Sequence, residues 1–107
     1  MGSKSSRAAS SALRMGDKEA LNLVGAKDIV IYGTSWCPYC TRARNTMDGL
    51  SSKVDKQYVD LESDVSSKVR SSLRSKTGQT SVPYVYVKGE FIGGCDDFVK
   101  MNSSGQL

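Results

Sequence analysis

An α/β domain, a mixed four-stranded sheet flanked by helices, is the fold this sequence predicts, and three observations predict it. Short apolar runs bounded by Gly or turn pairs alternate with stretches of helical spacing. The first of these form a strand–helix–strand series, which calls for a right-handed parallel crossover. Near the end, a Lys88-Gly89 turn with a strand on each side calls for an antiparallel hairpin.

Asp17 is placed to cap a first helix through Ala20, Leu21, Leu23 and Val24, ending near Gly25. Ile29-Val30-Ile31-Tyr32 is a continuous β-branched and aromatic run, as expected of a strand covered on both faces. Cys40 through Leu50 carries helix formers, with Met47 and Leu50 as core contacts, and Pro38 suits the first turn of that helix. Tyr58-Val59-Asp60-Leu61 reads as the second strand. Ser63 or Asp64 is placed to cap the next helix, whose Val65, Val69 and Leu73 recur every four residues and which Gly78 closes. Val82 to Val87 is the third strand, and Phe91-Ile92 a fourth that ends at Gly93-Gly94. Asp96 or Asp97 begins a last helix through Phe98 and Met101.

Residues 1–16 read as a disordered leader, rich in Ser, Ala and basic residues, and residues 17–107 as the folded domain. Three of the 15 basic residues (Lys4, Arg7 and Arg14) lie in the leader, leaving 12 against 11 acidic residues. A near-neutral domain argues against a nucleic-acid surface, which needs clustered positive charge. No apolar run approaches the ~18 residues of a membrane span. The sequence has no histidine, which excludes Cys–His nucleophiles, Ser–His–Asp triads and His-ligated metals.

The chemistry is expected in Cys37-Pro38-Tyr39-Cys40. With Pro38 in the first turn, Cys37 stands at a helix N-terminus and Cys40 one turn inside, on the same face. Their Cα atoms are then about 5–6 Å apart, within disulfide reach. Cys37 meets unpaired N–H groups and the positive end of the helix dipole, which alone contributes about 0.3–2 kcal/mol to its thiolate. Arg42 adds positive charge nearby. Cys40, deeper in the helix, keeps the higher pKa and serves as the resolving thiol. Half a zinc site is the competing reading of such a pair, but a closed site wants four ligands and only Cys95 is left over. Two unrelated structural cysteines is the other. A preceding strand and a following helix favour redox chemistry, and no metal is expected. For Pro83, the residues alone indicate a trans bond at an exposed edge turn.

Trp36-Cys37-Pro38-Tyr39-Cys40, then Thr80-Ser81-Val82-Pro83, then Gly93-Gly94-Cys95-Asp96-Asp97, resembles a dithiol glutaredoxin in order and spacing, from about Lys27 to Leu107. That resemblance implies a thioredoxin-like fold and a cis peptide at Val82–Pro83 facing the cysteines. It implies a glutathione-dependent oxidoreductase that reduces protein–glutathione mixed disulfides and protein disulfides, with Cys37 as nucleophile. The expected glutathione-binding residues are Thr34, Tyr39, Arg70, Val82, Pro83, Gly94, Cys95, Asp96 and Asp97. A strand opened by a cis proline leaves Val82 N–H and C=O for an extended peptide. Amides at the start of the last helix suit a carboxylate, and Asp97 an ammonium. Thr34 stands where most glutaredoxins carry a lysine thought to meet the glycyl carboxylate, and Arg70 where many have glutamine. These departures leave room for a larger glutathione conjugate as co-substrate. Cys95 is either an inert small residue or a target for glutathionylation or dimer formation.

Two alternatives stand beside this reading. One is an iron–sulfur module, a [2Fe–2S] cluster shared between two monomers, with which Trp36 is compatible and which Pro38 generally disfavours in the family. The other is a thioredoxin-like reductant using a different low-molecular-weight thiol. The expected partners are glutathione and glutathionylated or disulfide-bonded proteins, acting on a cytoplasmic monomer. Met1-Gly2-Ser3-Lys4-Ser5-Ser6 fits an N-myristoylation pattern, which would bring membrane association; a transit peptide and a plain flexible tail are the other readings of the leader.

Overall fold

The computed structural model describes residues 15–105. Eight elements follow in order. They are α1 (Asp17–Ala26), β1 (Ile29–Gly33), α2 (Pro38–Asp48), β2 (Lys56–Asp60), α3 (Ser67–Thr77), β3 (Tyr84–Val87), β4 (Glu90–Gly93) and α4 (Cys95–Ser103). The sheet order is β2-β1-β3-β4. β1 pairs with β2 in parallel, Ile31 opposite Tyr58, and with β3 antiparallel, Ile31 opposite Val85. β3 and β4 form the antiparallel hairpin, turned at Lys88 (φ 51°) and Gly89 (φ 84°). Two successive residues of positive φ make the tight two-residue turn that matches strand twist. The expected thioredoxin-like α/β fold is the one formed.

The pleat of β1 divides the core. Val30 and Tyr32 face α1 and α3, meeting Ala20, Val59, Val69, Leu73, Tyr84 and Tyr86. Ile29 and Ile31 face α2 and α4, meeting Ala43, Met47, Val85, Cys95 and Phe98. Both faces are covered, so every residue of β1 is buried. The Tyr32 hydroxyl, which burial would otherwise strand, donates to the Ala20 carbonyl at 2.6 Å.

Several boundaries differ from expectation. Asp17 is the first residue of α1 rather than its cap; Gly16 holds the cap position, and the Asp17 carboxylate accepts from the Ser66 hydroxyl at 2.7 Å. The cap of α3 is Ser66, whose hydroxyl accepts from Lys68 N–H, and neither Ser63 nor Asp64. Asp64 is spent elsewhere, accepting from Asp60 N–H at 2.9 Å to close the turn after β2. Val65 thus lies before the helix, still buried in the core beside Val69. Gly78 closes α3 at φ 81° as expected. α4 begins at Cys95 with Gly94 as its cap, one or two residues earlier than Asp96 or Asp97.

Residues 1–14 of the expected leader, including the myristoylation pattern, lie outside the described residues. Met15, read with that leader, donates its N–H to the Asp64 carbonyl at 2.7 Å and packs against the α1–α3 core. Among the described residues, no helix is long and apolar enough to cross a membrane.

Candidate active site

β1 delivers the chain to the site and α2 organises it. Cys37 is the cap residue of α2 in extended conformation (φ −90°, ψ 124°), and Pro38 follows at the first helical position. Cys37 is partly exposed and Cys40 fully buried. Their environments act in opposite directions. For Cys37, burial raises the pKa, but bonds from the Cys40 N–H, the Cys40 thiol and the Tyr39 N–H outweigh it, and the net position is below the ordinary cysteine value. For Cys40, burial dominates and the net position is above it, opposed by the Thr34 N–H and hydroxyl and reinforced by Cys37. The outer thiol is the more readily ionised of the two, as the helix N-terminus predicts.

Two large aromatics flank the outer thiol. Trp36 is 71% exposed, its indole N–H fixed on a Glu62 carboxylate oxygen at 2.6 Å, and Tyr39 is 60% exposed.

A groove of about 210 Å³ opens at the start of α2. Tyr39 borders it from α2; Ser81, Val82 and Pro83 form one wall; Gly94, Cys95, Asp96 and Asp97 form the other. The Val82–Pro83 peptide is cis. Among the described residues, neither the N–H nor the C=O of Val82 has a hydrogen-bond partner. Opposite them, the start of α4 presents N–H groups that no helical carbonyl takes. One Asp97 oxygen accepts from Gly94 N–H at 3.1 Å, which holds the Gly-Gly corner and leaves the second oxygen for a cation. Gly93 has φ 124°, and a Cβ there would run into the Asp97 carboxylate, so this corner requires glycine. Seven expected site residues, Tyr39, Val82, Pro83, Gly94, Cys95, Asp96 and Asp97, therefore come together in one groove.

The other two do not join them. Thr34, expected at a glycyl carboxylate, is 2% exposed and turns to the buried thiol, its N–H 3.4 Å and its hydroxyl 3.9 Å from Cys40 Sγ. Arg70 is half-buried on α3 and does not line the groove. The residue that sequence reasoning passed over is Gln79. Its side-chain amide donates to the carbonyls of Ser81 (2.7 Å) and Pro83 (2.9 Å), and its main-chain carbonyl accepts from the buried Tyr84 hydroxyl at 2.6 Å. A polar residue just past the Gly78 cap and four before Pro83 was the available signal. Cys95 is 4% exposed; burial pushes its thiol up, partly offset by Arg42. A larger recess, about 420 Å³ between Leu21, Leu73 and Phe91, lies on the α1–α3 side and contains neither cysteine.

A family model described as Glutaredoxin matches residues 29–92, from the first strand to the last. The chain belongs to the glutaredoxin family. It is 39% identical over 85 residues to the glutaredoxin of Ricinus communis, covering 79% of this chain and 82% of that one. Oxidized glutaredoxin 2 from Chlamydomonas reinhardtii superimposes with a TM-score of 0.69 at 33% identity, over 87% of this chain and 91% of that one. A buckwheat glutaredoxin–glutathione complex does so with a TM-score of 0.73 at 30% identity, over 85% and 82%. With the thiol pair at its helix terminus, this glutaredoxin is a thiol–disulfide oxidoreductase.

Proposed function

We propose that this glutaredoxin uses glutathione as co-substrate, reducing glutathione mixed disulfides and protein disulfides through Cys37. The observation that carries the proposal is the groove bordered by Tyr39, two residues past Cys37, with an unpaired backbone edge at Val82 on one side and a helix N-terminus plus a carboxylate on the other. Glutathione has matching parts. Its cysteinyl backbone pairs with Val82 as a short added strand. Its γ-glutamyl carboxylate meets the first-turn amides of α4, and its ammonium meets Asp97. The buckwheat glutaredoxin–glutathione complex supports the same reading by likeness of fold and sequence.

The reaction then runs as two exchanges. Cys37 thiolate attacks the glutathione sulfur of a mixed disulfide; the Cys37–glutathione bond forms, and the protein thiol leaves as thiolate and takes a proton from water. A second glutathione thiolate attacks the glutathione sulfur and frees Cys37 with release of oxidised glutathione. With protein disulfides, Cys40 performs the second attack, on Cys37, and closes the Cys37–Cys40 bond. Exposed Trp36 and Tyr39 offer apolar contact to the substrate protein around Cys37.

The test is the rate of reduction of a glutathionylated protein by glutathione. Cys37→Ser is expected to bring the rate to background, and Cys40→Ser to retain most of it, because the first route needs one thiol. Equal loss in both variants, or equal use of glutathione and an unrelated small thiol by the parent, contradicts the proposal.

A further inference from the structure

The inner side of α2, away from the groove, holds polar groups that the steps above leave unused. Cys40 Sγ sits against the Thr34 N–H at 3.4 Å and the Thr34 hydroxyl at 3.9 Å. The Thr34 carbonyl in turn accepts the Tyr58 hydroxyl at 2.7 Å, a contact between residues 24 apart in the chain. Thr34 is thus held from behind while its donors face the sulfur. Space for this exists because residue 33 is glycine: a Cβ on Gly33 would press on both the Tyr58 hydroxyl and Cys40 Sγ. The Arg44 guanidinium, one turn beyond Cys40 on α2, lies 4.5 Å over the Tyr58 ring and clamps it from the solvent side.

We infer that Thr34 and Tyr58 build a donor pocket for the Cys40 thiolate, with Thr34 touching the reacting sulfur and Tyr58 acting as the positioning residue that aims it. The inference rests on the thiol–disulfide reading and gives Cys40 its competence to resolve. In that step Cys40 loses its proton to water and attacks Cys37 Sγ of a mixed disulfide. The Cys37–Cys40 bond forms, the bond from Cys37 to the substrate sulfur breaks, and the leaving thiolate takes a proton from water. One disulfide replaces another, with no external oxidant or reductant. Burial opposes charge on Cys40, and the two Thr34 donors offset part of that cost. Burial, then the charge of Cys40 and a hydrogen bond with its sulfur, push the Tyr58 phenol far above its ordinary range; Asp60 adds to this and Arg44 opposes it. Tyr58 therefore stays protonated, remains a donor to Thr34 and brings no negative charge toward the sulfur.

Two measurements test this without glutathione. In Cys37→Ser protein, the ultraviolet absorbance of thiolate follows the titration of Cys40. Adding Thr34→Val or Tyr58→Phe is expected to move the midpoint upward, leaving about threefold less thiolate at a given pH, while Thr34→Ser keeps the parent midpoint. In protein with both thiols, a preformed Cys37–thionitrobenzoate mixed disulfide releases its coloured thiol as Cys40 attacks. That release is expected to slow about threefold in Thr34→Val and Tyr58→Phe and to recover in Thr34→Ser. Parent-like midpoints and release rates in Thr34→Val and Tyr58→Phe overturn the inference, as does a Thr34→Ser variant that behaves like Thr34→Val. Failure of the glutathione reading would instead appear as loss of selectivity for glutathione, with these two measurements unaffected.

Discussion

The outer and inner sides of α2 carry the same functional group three residues apart and treat it oppositely. Outside, Cys37 is partly exposed at a helix cap, where N–H groups favour its thiolate, and the groove beside it keeps backbone groups unpaired. Inside, Cys40 is buried, burial holds its proton, and the nearby polar atoms are already engaged with one another through Thr34 and Tyr58. The outer side is arranged to receive a ligand, and the inner side to exclude one. The difference teaches that the ease of ionisation of the two thiols, and with it the order of attack proposed above, follows depth along one helix more than residue type.

Titration of the two thiols is the most direct way to break that contrast, and its expected effect is the largest. Cys37, measured in Cys40→Ser protein, should ionise below the ordinary cysteine value; Cys40, measured in Cys37→Ser protein, should ionise above it. The sign follows from which form is favoured: a lowered pKa keeps Cys37 anionic as pH falls, whereas a raised one keeps Cys40 protonated until pH rises. Between the two midpoints only Cys37 is alkylated quickly. Coincident alkylation profiles would remove the contrast.

On the inner side, Gly33→Ala forces a methyl onto the Tyr58 hydroxyl and Cys40 Sγ and should cost about 1–3 kcal/mol of stability in a denaturant melt. Gly25→Ala, inside α1 with nothing within 4 Å of the added carbon, is the sterically free control, and its midpoint should not fall. On the outer side, Asp97→Asn retains an acceptor for Gly94 N–H but removes the negative charge. It is expected to raise the KM for glutathione about tenfold, roughly 1.4 kcal/mol, with kcat little changed. An unchanged KM separates Asp97 from ligand binding. Gln79→Ala, which frees the carbonyls of Ser81 and Pro83, should have the smallest effect, about 0.5–1.5 kcal/mol in the same steady-state measurement.

What was legible along the chain was local. Pro38 at the first helical position located the thiol pair, Gly78 marked the end of α3, and the uninterrupted run in β1 announced a strand covered on both faces. Boundaries went astray where a short polar side chain had two uses: Asp64 and Ser66 compete for the entry to α3, and the turn after β2 claims Asp64. Thr34 was misread for a related reason. Its position one strand-end before the cysteines is equally compatible with facing the groove or facing the core, and only the packing of β2 beside β1 brings Tyr58 to its carbonyl.

The sequence by itself therefore determined the order of elements and the helix terminus that favours the Cys37 thiolate, because periodicity, caps and turn chemistry depend on neighbours a few positions apart; the groove residues were named through the resemblance to glutaredoxins. Tertiary structure alone decided what Thr34, Arg70, Gln79 and Tyr58 face. Those contacts depend on which strand lies beside β1 and how deeply α2 packs on it, and burial, acting through space, sets the difference between the two thiols.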